Sequence, residues 1–209
     1  MMDAEPLFEP LIDGILEKGY GVADAFLTPG EVAALRQRLH ERHDAGQFRA
    51  AGIGRAADHN GQITIEKAIR GDEILWLDGA TATPAETVFL ERIRAFIEYL
   101  NRTCYLGLRD YELHYARYPV GTFYKRHLDR FRTDSKRKLS VITYLNEDWQ
   151  PSDGGQLAIY VPQPDGPEQP IHLDPIGGRL VCFDSGLLEH EVLPATRERL
   201  SLTGWLRTT

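Results

Sequence analysis

His127-Leu128-Asp129 places an imidazole and a carboxylate at i and i+2. On a β-strand two such side chains point to the same face. A second imidazole, His190, follows Asp129 by 61 positions, enough chain to cross several strands and return. Two histidines and one carboxylate, with other coordination positions left open, are the ligand set of non-haem iron(II) centres. The open positions matter because a cosubstrate and oxygen must reach the same ion. The residue types therefore indicate oxidative chemistry at one metal held by His127, Asp129 and His190.

His-x-Asp is a short pattern, and His172-Leu173-Asp174 repeats it. Spacing separates the two. Asp174 precedes Pro175, a turn position, and lies only 16 residues before His190, so that pair would sit on neighbouring strands instead of facing across a barrel. His172 is therefore assigned to a strand surface. His40 and His43 lie on a charged helix and read as a solvated face, His59 falls in a polar loop, and His114 reads as a core or rim histidine on a strand.

The last strand alternates. Arg199, Ser201, Thr203 and Trp205 share one face, and Leu200, Leu202 and Leu206 share the other. An arginine that projects into a barrel needs an anion, because an unpaired buried charge is very costly. Its planar fork matches a carboxylate. Either a structural carboxylate or a carboxylate-bearing cosubstrate satisfies it. Arg197 has the same parity but sits in the turn after Pro194.

These residues need elements to hold them. Pro6 to Lys18 carries apolar residues at helical spacing. Thr28-Pro29-Gly30-Glu31 starts a helix, with Thr28 as cap and Glu31 completing a capping box, that runs to about His43. A third helix begins at Thr83-Pro84 and runs through Leu100. Gly61 to Gly79 reads as two short strands around an Arg70-Gly71-Asp72 turn. From Asp110 the period becomes two, and strands are expected at 111–118, 122–128, 138–146, 155–161, 169–173, 179–183, 188–192 and 199–207. Eight short strands separated by turn residues indicate a barrel or jelly roll. The expectation is one α+β domain over 1–209: about 1–109 mainly helical support, with a hairpin at 61–79, and about 110–207 forming the β core that carries the site.

Composition narrows the partners. Acidic residues outnumber Lys and Arg by 31 to 24, for a net charge of −7, which argues against a nucleic-acid surface. The basic run at Arg126, Arg130, Arg132, Lys136, Arg137 and Lys138 reads as a solvated loop. The two cysteines, Cys104 and Cys182, lie in apolar surroundings and read as buried free thiols. The acidic N-terminus lacks the basic region of a signal peptide, and no apolar run suits a membrane span. A cytoplasmic location without membrane partners is expected.

Several stretches, in order from about residue 62 to 207, resemble the 2-oxoglutarate- and iron-dependent prolyl hydroxylases, specifically the oxygen-sensing prolyl hydroxylase-domain group and its bacterial relatives. They are Ala68 to Trp76, Tyr118-Pro119 through His127-Leu128-Asp129, Tyr144 to Trp149, Gly154 to Leu157, and His190 to Ala195 through Arg199 to Trp205. The resemblance implies a double-stranded β-helix, a jelly-roll or cupin-like core, with N-terminal supporting helices. It implies Fe(II) at His127, Asp129 and His190, and 2-oxoglutarate at Arg199 and Tyr144, with Tyr118 nearby. O2 is the oxidant it implies, and ascorbate is a further cofactor. The 61–79 segment matches a mobile cover over a peptide, and Arg70, Asp72, Trp76 and Trp205 match substrate contacts. The implied activity is 4-hydroxylation of a prolyl residue in a protein, with elongation factor Tu as the bacterial candidate, releasing succinate and CO2. Two alternatives share the scaffold. A hydroxylase of a free amino acid or small metabolite needs a closed pocket, and a non-catalytic metal-binding jelly-roll sensor needs no Arg199 and Tyr144 pair.

Overall fold

The structure, a computed structural model, describes residues 5–57, 63–64, 66, 68–130, 136–163 and 166–208. Helix α1 (Glu5–Lys18) leads into β1 (Tyr20–Ala23), and α2 (Pro29–Asp44) follows. Four short strands, β2 (Arg49–Ala50), β3 (Ile53–Ala57), β4 (Ile63–Thr64) and β5 (Glu73–Trp76), precede α3 (Pro84–Cys104). The second half is β6 (Asp110–Tyr118), β7 (Tyr124–His127), β8 (Arg137–Tyr144), β9 (Leu157–Gln163), β10 (Gly166–Leu173), β11 (Leu180–Asp184), β12 (Glu189–Val192) and β13 (Arg199–Arg207). Each expected strand from Asp110 onward is present.

The helices start where their caps lie. Glu31 accepts from the Thr28 amide at 2.8 Å, and the Thr28 hydroxyl accepts from the Glu31 amide at 3.3 Å. Glu86 plays the same part for Thr83 at 2.7 Å and also pairs with Arg42 at 3.1 Å. That buried pair ties the start of α3 to the last turn of α2.

Seven strands form one antiparallel sheet in the order β1-β11-β8-β13-β6-β5-β2, and four form a second in the order β10-β9-β12-β7. They are the two walls of a double-stranded β-helix. Strand parity divides the large wall. Leu113 and Tyr115 of β6, Leu139 and Val141 of β8, and Leu200, Leu202 and Leu206 of β13 pack with Phe8, Leu11, Phe89, Ile93 and Phe96 of the helices. The opposite parity, including Tyr118, Ile142 and Tyr144, packs with Leu157, Ile159 and Val192 of the small wall. Each fully buried aliphatic or aromatic side chain contributes roughly 2 kcal/mol, so the helix layer holds the large wall rigid behind the site. No helix among the described residues is long and apolar enough to cross a membrane.

Three expectations need correction. The Gly61–Gly79 segment is not a hairpin: β4 pairs with β3, whereas β5 pairs with β2 and β6. The Arg70-Gly71-Asp72 stretch instead lies along the edge of β7, where the Gly71 amide donates to Phe123 at 2.9 Å and the Lys125 amide donates to Ile69 at 2.9 Å. Positions 58–62, between β3 and β4, lie outside the described residues, as does His59. The first half is less helical than expected, because β1 adds to the large sheet beside β11. The basic run is not uniformly a solvated loop. Arg126 pairs with Glu168 and Glu189 across strands, and Arg137 belongs to β8; positions 131–135 are outside the described residues. Smaller differences are that Cys104 is only half-buried and that His43 faces Glu73 at 3.3 Å.

Candidate active site

Strands β7 and β12 pair in the small wall so that His127 and His190 face each other in register. Their ring centroids lie 4.3 Å apart. The His127 Nδ1 lies 2.7 Å from the Lys125 carbonyl, and the His190 Nδ1 lies 3.3 Å from the Leu188 carbonyl. A carbonyl only accepts, so each Nδ1 donates, which turns each Nε2 toward Asp129. Strand β7 ends at His127, so a turn, not strand alternation, places Asp129. The Arg130 amide donates to Ser185 at 3.0 Å, and Arg137 Nη1 donates to the Asp129 carbonyl at 3.2 Å. The carboxylate then meets His127 Nε2 at 3.6 Å and His190 Nε2 at 3.5 Å. All three donor groups lie within 4.8 Å of one another, close enough for one ion to touch them. This nitrogen and oxygen set suits a first-row transition metal.

Electrostatics prepare these donors. Burial raises the Asp129 carboxyl, but the facing His190 and His127 rings and the Ser140 hydroxyl hold it well below the usual carboxylate range. Ser140 donates to Asp129 Oδ2 at 2.6 Å and lies 2.9 Å from the Ser185 hydroxyl. Burial pushes His190 down to about 4, against the pull of Asp129, so its ring is neutral near pH 7. Outer hydrogen bonds of this kind orient the donors and set their basicity.

The donors line a cavity of about 280 Å³ between the two walls. Deeper along β13, Arg199 is 1% exposed. Its Nε donates to the Gly155 carbonyl at 2.9 Å, while its Nη2 has no hydrogen-bond partner. The Tyr144 hydroxyl, on the neighbouring strand, is also buried without a partner. The guanidinium carbon lies 5.0 Å from the Tyr144 ring centroid and 5.1 Å from that of Tyr118. Burial raises the Tyr144 phenol, against the pull of Arg199, so it stays protonated and able to donate. Gly155 is required here. Its φ is +67°, and a Cβ would meet Ala195 at 3.0 Å, Trp149 at 3.1 Å and Arg199 Cδ at 3.3 Å.

Arg197 does not compete for this place. It is exposed and pairs with Asp153 at 3.5 Å. His172 is exposed on β10, away from the cavity lining.

Arg70, Asp72, Trp76 and Trp205 all line the cavity. Arg70 grips Asp72 with two bonds, at 2.7 and 2.6 Å, and its guanidinium carbon sits 4.2 Å from the Tyr124 ring. Tyr124 in turn stacks on His127 with centroids 3.6 Å apart.

Sequence reasoning missed the part played by three further residues. Arg137 lies 3.4 Å from the Trp205 ring, because a register shift between Leu206 and Arg207 re-aims the start of β8. Ser140 shares the inward parity of β8 with Ile142 and Tyr144, a signal that was available. His114 lines the cavity between Trp76 and Trp205, which come from strands distant in sequence.

Residues 113–207 match the 2OG-Fe(II) oxygenase superfamily. A prolyl-4-hydroxylase of Pseudomonas putida is 40% identical, with a TM-score of 0.83 over 97% of this chain and 99% of that one. A Trichoplax adhaerens prolyl hydroxylase, solved with a hypoxia inducible factor oxygen degradation domain peptide, is 27% identical with a TM-score of 0.84, covering 97% and 90%. Mouse Egl nine homolog 1 is 31% identical over 94% of this chain but 48% of its own length, so the chain spans about half the length of the curated relatives it matches. On its fold, its donor set and the near-complete overlap with the bacterial enzyme, the chain belongs to the prolyl hydroxylase group of the 2OG-Fe(II) oxygenase superfamily.

Proposed function

We propose that this protein is a 2-oxoglutarate- and Fe(II)-dependent hydroxylase of a prolyl residue in a protein substrate. One observation carries the reading. A buried arginine with an unused donor lines one cavity with an open two-histidine, one-carboxylate donor set, and the buried Tyr144, whose hydroxyl is also unused, packs beside that arginine on the neighbouring strand. An arginine without an anion in that position is strongly destabilising, and the bound dicarboxylate removes the penalty. A metal-binding sensor has no use for such a pair.

His127 and His190 would hold Fe(II) through Nε2, and Asp129 through its carboxylate. Arg199 and Tyr144 would take the distal carboxylate of 2-oxoglutarate, with Tyr118 packed beside the guanidinium. Once bound, Fe(II), 2-oxoglutarate and O2 supply the oxidising power that turns a C–H bond into C–OH, with succinate and CO2 as co-products. The chain's own part is orientation and exclusion of water. The carbonyls of Lys125 and Leu188 fix the two imidazoles, Ser140 fixes the carboxylate, and the Gly155 carbonyl aims the guanidinium. Trp76, Trp205, Tyr124 and Leu157 form the apolar lining that a proline ring would meet.

The relatives support a peptide or protein substrate, since the Trichoplax enzyme is described in complex with a peptide fragment. Elongation factor Tu is the first candidate to try. The test is succinate formation in the presence of Fe(II), 2-oxoglutarate and candidate proteins, with His127→Ala and Asp129→Ala as controls. Loss in both variants supports the site; undiminished turnover in both removes it.

A further inference from the structure

One buried side chain in the cavity has no part in holding metal or dicarboxylate. His114 is 3% exposed on the inward face of β6, lines the cavity, and its Nδ1 has no hydrogen-bond partner. Trp76 and Trp205 flank it, with ring centroids 4.8 and 5.7 Å away. The register explains the grouping. Trp76 pairs with His114 between β5 and β6, and Thr203 pairs with His114 between β6 and β13. Trp205 adds a second unused group, because its buried Nε1 also lacks a partner.

The chemistry of the two groups is complementary. The indole N–H can only donate. Burial pushes the His114 ring down to about 4, so it is neutral near pH 7 and one nitrogen is an acceptor. A neutral donor and a neutral acceptor on an aromatic wall match the C=O and N–H of a peptide group. They do not match the ammonium and carboxylate of a free amino acid, which would need counter-charges. Nearby charges are already engaged: Arg70 with Asp72, and Arg137 with Glu112 and the Asp129 carbonyl. Proline has no amide hydrogen of its own, so the closest backbone donor after it is the N–H of the next residue.

We infer that His114 is a substrate-reading residue that accepts a hydrogen bond from the backbone N–H following the target proline. The inference rests on the prolyl hydroxylase reading and deepens it.

The probe is a pool of acetylated, amidated, proline-centred peptides with randomised flanks, made in ordinary form and with an N-methylated residue after the proline. N-methylation should lower the wild-type kcat/KM about tenfold, the weight of one hydrogen bond. His114→Phe should lose about the same factor on the ordinary pool, mainly in KM, and lose nothing further on the methylated pool. His114→Asn, which can still accept, should recover part of the loss. Binding of 2-oxoglutarate should be unchanged in both variants. Equal sensitivity to N-methylation in wild type and His114→Phe overturns the inference. So does a wild type that is indifferent to N-methylation, a result that needs no variant to fold. Free L-proline turned over while the pool is ignored means that the peptide reading itself has failed, and His114 with it. Pool turnover without a His114 effect removes only the role of His114.

Discussion

His127 and His190 occupy directly opposed positions on two paired strands, β7 and β12. That register brings together residues far apart in sequence, and a backbone carbonyl two residues before each one turns its ring the right way. Asp129 has no strand to hold it, so its position depends on Ser140, Arg137 and the Arg130 amide.

Ser140→Ala should therefore weaken metal binding without unfolding the chain. Loss of an outer hydrogen bond to a ligand typically costs about 10- to 100-fold in metal affinity. Calorimetric titration with Fe(II) under anaerobic conditions, or with Mn(II), reads the change. An affinity equal to wild type would mean that the Ser140–Asp129 bond does not orient the carboxylate.

Arg199→Met removes the guanidinium and keeps much of the stem. Truncating one partner of a buried charge pair costs about 2 to 5 kcal/mol, so 2-oxoglutarate should bind on the order of 100-fold more weakly or worse. Arg199→Lys should not restore it, since an ammonium lacks the fork that bonds Gly155 and a carboxylate together. Metal affinity measured alone should hardly move. Full 2-oxoglutarate affinity in Arg199→Met would place the anchor elsewhere.

Gly155→Ala tests the same anchor from behind. A left-handed φ costs a non-glycine residue about 1 to 2 kcal/mol, and the added Cβ presses on Arg199 Cδ at 3.3 Å. Thermal unfolding should move down and 2-oxoglutarate affinity should fall together. A stability loss with unchanged affinity would separate Gly155 from the dicarboxylate site.

Acid should destabilise the metal-free protein through its buried imidazoles. His114 and His190 are each pushed by burial to about 4 in the folded chain, against about 6.5 when unfolded. Between those values the unfolded chain binds protons that the folded chain refuses. Their contribution is complete above about pH 6.5 and is lost as pH falls toward 4, at ~1.4 kcal/mol per pH unit for each ring. Denaturant titrations at pH 5 and 6 should show this slope reduced by about that amount in His114→Phe. An identical slope would contradict a buried neutral His114.

Much of this was legible in the sequence, for physical reasons. The alternation of β13 separates Arg199 from Leu200 correctly, because the strand is nine residues long and its two faces meet different surroundings. The caps at Thr28 and Thr83 are local, so they locate the helix starts. Strand β1 is four residues long and buried on both faces, which leaves no alternation to read. The Arg70-Gly71-Asp72 stretch has turn chemistry, yet its backbone partners lie on β7, more than fifty positions onward, where local signals are silent. His114 belongs to the same class: its neighbours Trp76 and Trp205 are defined by sheet order alone.

The most direct test of the central claim is mass spectrometry of proteins from a strain lacking this gene, after incubation with the purified protein, Fe(II) and 2-oxoglutarate. One added oxygen atom should appear on a proline residue of at least one protein, dependent on 2-oxoglutarate and absent with Asp129→Ala. Stoichiometric succinate formation driven by a free amino acid, with no prolyl residue modified in any protein, would contradict that claim.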